Sequence, residues 1–440
     1  MKQEFSYRNI WNIAYPIIIG NIAQNIVNIT DTAFLGRVGT TELAASAIAG
    51  VFYFIFFMIG LGFITGTQII SARRLGEGKP KEIGKYIENS IYFLVAISVF
   101  LILVIKFVAP DLLSKGISST DIFEKAKEYL DYRCYGLIFS YINLTIGAFY
   151  ISIGRTKVIS MSFIILAVVN IFLDYGMIFG NFGFQAWGIS GAAIASSISE
   201  AVATVFLFAY TIYKIPLKNY NLFKFKKIDF TIIKELLKIS TPMMIQVILS
   251  IGAWFYFFML VEKLGQMELA VSNIIRSIYI VMMIPIWGFA SATSTLTSNL
   301  IGQGKQNQVF KLIKKSVVMC SLINLGVVLF ALIIPEFIIR IYTDDVTLVN
   351  ASKPILYTID FVIFFISAAF ITFNGVIGTA KTVVSMFIEI FAILIYLIFV
   401  YIFVYHIQAS LQIIWLSELV YGISIGGASI LYLRFGKWRA

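Results

Sequence analysis

The sequence predicts an all-α polytopic membrane protein with twelve transmembrane helices in two pseudo-symmetric six-helix bundles. Three observations carry that prediction: apolar runs of bilayer length, a lopsided distribution of lysine and arginine, and an internal repeat at constant offset. Of the 440 residues, 59% are hydrophobic and 13% charged, and the mean hydropathy is +0.89. A soluble globule must keep its surface wetted and does not carry so much apolar side chain.

Apolar runs of about 20 residues match a hydrocarbon core roughly 30 Å thick. They place spans near 10–35, 45–72, 87–109, 129–153, 158–179 and 189–213, then near 239–262, 269–299, 316–335, 354–377, 383–405 and 411–433. The opening "MKQEFSYRNIWNIAYP" lacks a cleavable-signal pattern, so the first span is expected to stay in the membrane. With the N-terminus inside, the inner segments hold 24 lysines and arginines and the outer loops 8, leaving Arg133 and Arg276 near or within spans. This positive-inside asymmetry predicts a multi-pass plasma-membrane protein with both termini cytoplasmic. The formal charge of +11 is then a topology signal and a partner for anionic lipid heads, not a nucleic-acid surface.

"VGTTELAASAI" at 38–48 answers "LGQMELAVSNI" at 264–274, and "RRLGEGK" at 73–79 answers "NLIGQGK" at 299–305. At one offset of 226 residues the pairs include Pro16/Pro242, Gly39/Gly265, Glu42/Glu268, Gly62/Gly288, Gly78/Gly304 and Lys79/Lys305. Further along the register drifts, with "IGRTK" at 153–157 answering "IGTAK" at 377–381 and Ser199-Glu200 answering Ser417-Glu418. The domains predicted are an N-terminal bundle over 1–213, a basic cytoplasmic linker over 214–238 and a C-terminal bundle over 239–440. An even number of spans per half makes the halves parallel repeats, the arrangement an alternating-access carrier requires.

A charged group at bilayer depth costs several kcal/mol, so each is a functional candidate. Asp31 and Asp174 fall in the outer halves of the first and fifth spans, Asn170 one turn before Asp174, and Glu200 at mid-depth in the sixth; all four are expected to converge. Asp31 has no acidic counterpart, since the matching position is Phe257. In apolar surroundings a carboxyl favours its protonated form, and a second carboxyl adds to that. A pair such as Asp31 and Asp174 is therefore expected to take up a proton or small cation on one side and release it on the other. Pro16 removes a backbone hydrogen bond inward of Asp31 and permits a kink that follows the ion. The second half has its own buried acids, Asp360, Glu389 and Glu418, with Arg276 expected to neutralise one of them. "RRLGEGKPKE" joins two spans and reads as a tight inner turn rather than a phosphate loop. Cys134, Cys320 and the single histidine, His406, offer neither a disulfide nor a metal cluster, which counts against a membrane enzyme.

"YPIIIGNIAQNIVNITDTAFLGRVGTTELAA", the glycine-lysine turn and "NIFLDYGMIFG…WGISGAAIASSIS" resemble the multidrug and toxic compound extrusion (MATE) family, and the resemblance covers essentially the whole chain. It implies an efflux antiporter, working as a monomer without a cofactor, that exchanges drug-like amphipathic cations for H+ or Na+. In the branch with an acidic pocket in the N-terminal bundle, the coupling residues match Pro16, Asp31, Asn170 and Asp174. Ser196 falls near where that branch places a pocket threonine, beside Glu200. Val27 departs from the tyrosine some members carry, and Glu389 and Glu418 keep a second-bundle route open. The alternative is a lipid-linked oligosaccharide or lipid flippase of the same architecture, which would need several arginines for pyrophosphate.

Overall fold

A computed structural model describes residues 5–439. Among them there is no strand. The first half runs α1 (Tyr7–Val38), α2 (Thr40–Gly76), α3 (Ile83–Phe107), α4 (Ala109–Gly116), α5 (Thr120–Arg133), α6 (Gly136–Ser152), α7 (Lys157–Phe179), α8 (Gly188–Lys214) and the short α9 (Leu217–Tyr220). The second runs α10 (Phe230–Glu262), α11 (Gln266–Gly302), α12 (Val309–Ile333), α13 (Pro335–Arg340), α14 (Val346–Gly378), α15 (Thr382–Tyr405), α16 (Leu411–Trp415) and α17 (Ser417–Phe435).

Ten helical stretches among the described residues are long and apolar enough to cross a membrane, and α5 with α6, bent by 49° at their junction, makes an eleventh. The remaining expected span is α1. It is continuous for 32 residues, about 48 Å at the helical rise. Five asparagines, Gln24 and Asp31 make it the most polar of the long helices at the front of the chain. The polar load reflects what α1 carries, since lipid alone would call for none of it.

The repeat has a local structural reason. After α1, a Cβ on Gly39 would lie 2.3 Å from the Glu42 carboxylate, and after α10 one on Gly265 would lie 2.5 Å from that of Glu268. In each case the first-turn glutamate folds back over a glycine, where its charge favours the helix N-terminus. The second shared turn closes α2 and α11. Gly78 (φ 75°) and Gly304 (φ 73°) adopt the left-handed conformation, and Lys79 N and Lys305 N donate to the carbonyls of Arg74 and Leu300, each at 2.9 Å. This is the Schellman closure that glycine permits, and "RRLGEGKPKE" is a helix-ending turn followed by one 3-10 turn at Pro80–Glu82.

Two compact units result. One comprises Ile19–Leu75 and Lys79–Met244; the other comprises the chain up to Ile18, Gly76–Gly78 and Ile245–Ala440. The chain passes from one unit to the other within α1 and within α10, two residues after Pro16 and Pro242 respectively. Both prolines lie inside uninterrupted helices, where each removes one backbone hydrogen bond.

In the first unit α2, α3, α5 and α6 share a core around Phe63, Tyr86, Leu94 and Tyr141. A smaller cluster of Ala23, Val27, Leu166, Ala167 and Ala203 joins α1 to α7 and α8. Val27 thus fills apolar space where a tyrosine would bring a hydroxyl. Of the basic segment, only 215–229 lies outside α8 and α10, and it is tied down. The Lys224 and Asp229 amides donate to Glu88 Oε1 at 2.7 Å and Asn89 Oδ1 at 2.8 Å, and Tyr92 donates to the Lys226 carbonyl at 2.9 Å. In the second unit α11 and α14 are the most enclosed helices. There Trp415 is buried with its indole N–H on Ser272 Oγ at 3.1 Å.

The approach of α7 to α8 depends on Gly191, where a Cβ would lie 2.6 Å from the Met177 carbonyl oxygen. Gly191→Ala is therefore expected to lower the melting temperature of the purified protein by several degrees, a cost of about 1–3 kcal/mol. Gly147→Ala, which meets nothing within 4 Å, should be neutral or stabilising in the same thermal-shift assay.

Candidate functional site

The site grows from the outer part of α1. Thr30 and Thr32 flank Asp31 and spend their hydroxyls on the helix itself, donating to the carbonyls of Ile26 at 2.9 Å and Asn28 at 2.8 Å. Asp31 turns to α7. Its carboxyl meets that of Asp174 within hydrogen-bonding reach. Asp174 and Asn170, four residues apart and so on one face, are both fully buried. Asn170 Nδ2 donates to Ser196 Oγ of α8 at 3.4 Å.

This corner is rich in acceptors and poor in donors. Asp31 Oδ1, Asn170 Oδ1 and both carboxyl oxygens of Asp174 are shut away from solvent without a hydrogen-bond partner. Unpaired buried oxygens are costly, and two facing carboxylates repel. A positive species between them, a shared proton or a small cation, removes both penalties at once. Among the described residues no group of three or more His, Cys, Asp or Glu side chains is arranged to hold a metal ion.

Glu200 does not join the other three acids and amides. It is taken by Arg133, whose Nη2 and Nη1 lie 2.6 and 3.0 Å from Glu200 Oε1 and Oε2. The 49° bend between α5 and α6 aims Arg133 at α8. Gly136 makes room, since a Cβ there would lie 2.1 Å from Arg133 Nη1 and 2.5 Å from Glu200 Oε2. The guanidinium carbon lies 4.0 Å from the centre of the Tyr53 ring. Asn143 donates to the Glu200 carbonyl at 3.0 Å and accepts from Thr204 at 2.8 Å, which locks α6 to α8. Sequence reasoning left Arg133 unassigned. Its one signal was a lone arginine in the fourth apolar run three residues before a glycine.

The acids of the second half are provided for differently. Glu389 Oε1 accepts from Ser250 and from Tyr421, each at 2.7 Å, and Glu418 accepts from Tyr279 at 2.9 Å. Asp360 is buried, with neither oxygen hydrogen-bonded. The expectation that Arg276 neutralises one of these acids is corrected. Among the described residues no ion pair reaches it, and its guanidinium lies 5.0 Å from the centre of the Phe258 ring. At the position matching Asp31, Phe257 packs edge-on against Trp415, with ring centres 5.3 Å apart.

Comparison with known proteins agrees with the repeat and the fold. The family model described as MatE matches residues 16–176 and 242–402, two stretches of equal length in the same 226-residue register as the repeat. The chain is 26% identical over 439 residues to the probable multidrug resistance protein NorM of Thermotoga maritima, covering 98% of this chain and 93% of that one. It is 27% identical to the protein of the same name in Agrobacterium fabrum, over 80% of this chain and 75% of that one. A solved structure described as the outward-facing conformation of a multidrug resistance MATE family transporter of the MOP superfamily superposes with a TM-score of 0.91 at 19% identity, covering 98% of this chain and 96% of that one. That likeness establishes the fold. With both of its repeats matched, the chain belongs to the MatE family of multi-pass membrane transporters, and it is not an enzyme.

Proposed function

We propose that this chain is a secondary active multidrug efflux antiporter that exports amphipathic cations by alternating access in exchange for a cation taken up at Asp31 and Asp174. The observation that carries the reading is the meeting of these two carboxyls with no donor between them. The acids Glu389 and Glu418, by contrast, are supplied with hydroxyl donors and need no ion to be buried. The coupling ion in this reading is a proton, which joins the two carboxyls and leaves when the pocket opens to the opposite side. Asn170 holds the Asp174 face against Ser196. Pro16, next to the point where α1 passes between the units, is where the helix bends in response. The names of the relatives support the drug-export reading, and a flippase gains little support, since Arg133 is committed to Glu200 and leaves few arginines for a pyrophosphate.

The test is ethidium efflux from liposomes holding the purified protein, under separately imposed proton and sodium gradients. A proton gradient should drive efflux, and Asp31→Asn should abolish it, at least tenfold, with melting temperature and insertion unchanged. Wild-type rates in that variant would overturn the coupling role. Glu389→Gln and Glu418→Gln should keep most of the activity; loss there with Asp31→Asn intact would move the site to the other half.

In this reading the protein lies in the plasma membrane as a monomer with both termini cytoplasmic. A cysteine placed at Lys227 should be labelled by a membrane-impermeant maleimide only in inverted vesicles, and one at Lys115 only in intact cells. The reverse pattern would turn the topology over.

A further inference from the structure

The Arg133–Glu200 pair is more than the fold requires. A buried ion pair is rarely a net source of stability, because desolvation offsets the attraction. Yet several features exist to accommodate this one: the bend after Arg133, the missing side chain at Gly136, the ring of Tyr53 beneath the guanidinium and the amide of Asn143 on the Glu200 carbonyl.

Its position relates it to the acid pair. Ser196 and Glu200 are one turn apart on the same face of α8, both buried. Ser196 holds Asn170 at 3.4 Å, Asn170 is one turn from Asp174, and Asp174 meets Asp31. Glu200, and with it the Arg133 guanidinium, is thus linked to Asp174 by two helical turns and one hydrogen bond. The groups facing this region are Asp31 from α1, Tyr53 from α2, Tyr129 and Arg133 from α5, Asp174 from α7 and Glu200 from α8. From α6, Tyr141 donates to the Phe56 carbonyl. The charges farther out are matched to one another, Lys106 of α3 with Asp131 at 3.7 Å and Lys125 with Glu128 at 2.8 Å.

We propose that Arg133, held in place by Glu200, is a positioning residue for the transport reaction: a fixed counter-charge that sets the pH range over which the Asp31–Asp174 pair holds and releases its proton. A positive charge held at the end of that path weakens the pair's hold on a proton, and Glu200 limits the weakening and fixes the charge in place. The step involves only a proton, taken from water by the carboxyl pair and returned to water. This inference rests on the reading of that pair as the coupling site, and the experiment separates the two.

The purified full-length protein in lipid is titrated while difference infrared spectroscopy follows the C=O stretch of protonated carboxyls. In every background the spectrum of the matching Asp31→Asn variant is subtracted, so that only the pair is read. Arg133→Gln should move the midpoint to higher pH by about one unit, a tenfold tighter hold on the proton. Glu200→Gln, which leaves Arg133 uncompensated, should move it to lower pH by a similar amount. The double variant should fall between them, and Arg133→Lys should stay within about 0.3 unit of wild type. Opposite shifts are not what general destabilisation produces. Midpoints that stay put, or that move in one direction in both single variants, overturn the role of Arg133 while the coupling site stands. Absence of any titrating band in the wild-type difference spectrum overturns the coupling site and this inference with it. Should Arg133→Gln fail to fold, Glu200→Gln and Arg133→Lys decide the matter by the same criteria.

Discussion

A carboxyl carried to bilayer depth must find a donor, a counter-charge or a proton, because water is not there to solvate it. The buried acids of this protein face that demand in different ways. Glu200 has a counter-charge in Arg133. Glu389 and Glu418 have serine and tyrosine hydroxyls. Asp31 and Asp174 have only each other, and Asp360 has no hydrogen-bond partner among the described residues. An acid already satisfied gains little from an ion, whereas one facing another acid gains the whole of its burial.

The same demand explains how α1 is built. A span with five asparagines, a glutamine and an aspartate is a poor lipid-facing helix. Part of its polarity is absorbed within the helix, by the hydroxyls of Thr30 and Thr32 on backbone carbonyls and the Gln24 amide on Asn28 Oδ1, and part lies in the acid pair. Val27 and Ala23 form the apolar contact of this helix to α7 and α8.

The two repeats share turns and differ in interiors. Gly39 with Glu42 and Gly265 with Glu268 solve the same helix-start problem, and Gly78 and Gly304 solve the same helix-end problem. At the matching positions 31 and 257, however, one repeat has an acid against an acid and the other a phenylalanine against Trp415. Turn geometry is set by backbone sterics that admit few residues, so duplication preserves it. A buried face can be refilled by any set of side chains that packs and satisfies its polar atoms, so the two halves diverge there.

Membrane class, repeat and the positions of the spans were legible in the sequence because lipid thickness and backbone sterics act locally, although the break between α5 and α6 inside the run near 129–153 was not. The apolar run near 158–179 became a helix over Lys157–Phe179 and the run near 383–405 one over Thr382–Tyr405. Asp31, Asn170 and Asp174 were legible for the same reason, as polar groups out of place in apolar runs. The meeting of Arg133 with Glu200, 67 positions apart, was not. Nor was the failure of Arg276 to reach an acid, or the passage of α1 and α10 between units beside their prolines. Which charge meets which depends on the angle of a bend and on space left by a single missing Cβ, and those are settled only when helices distant in sequence close on one another.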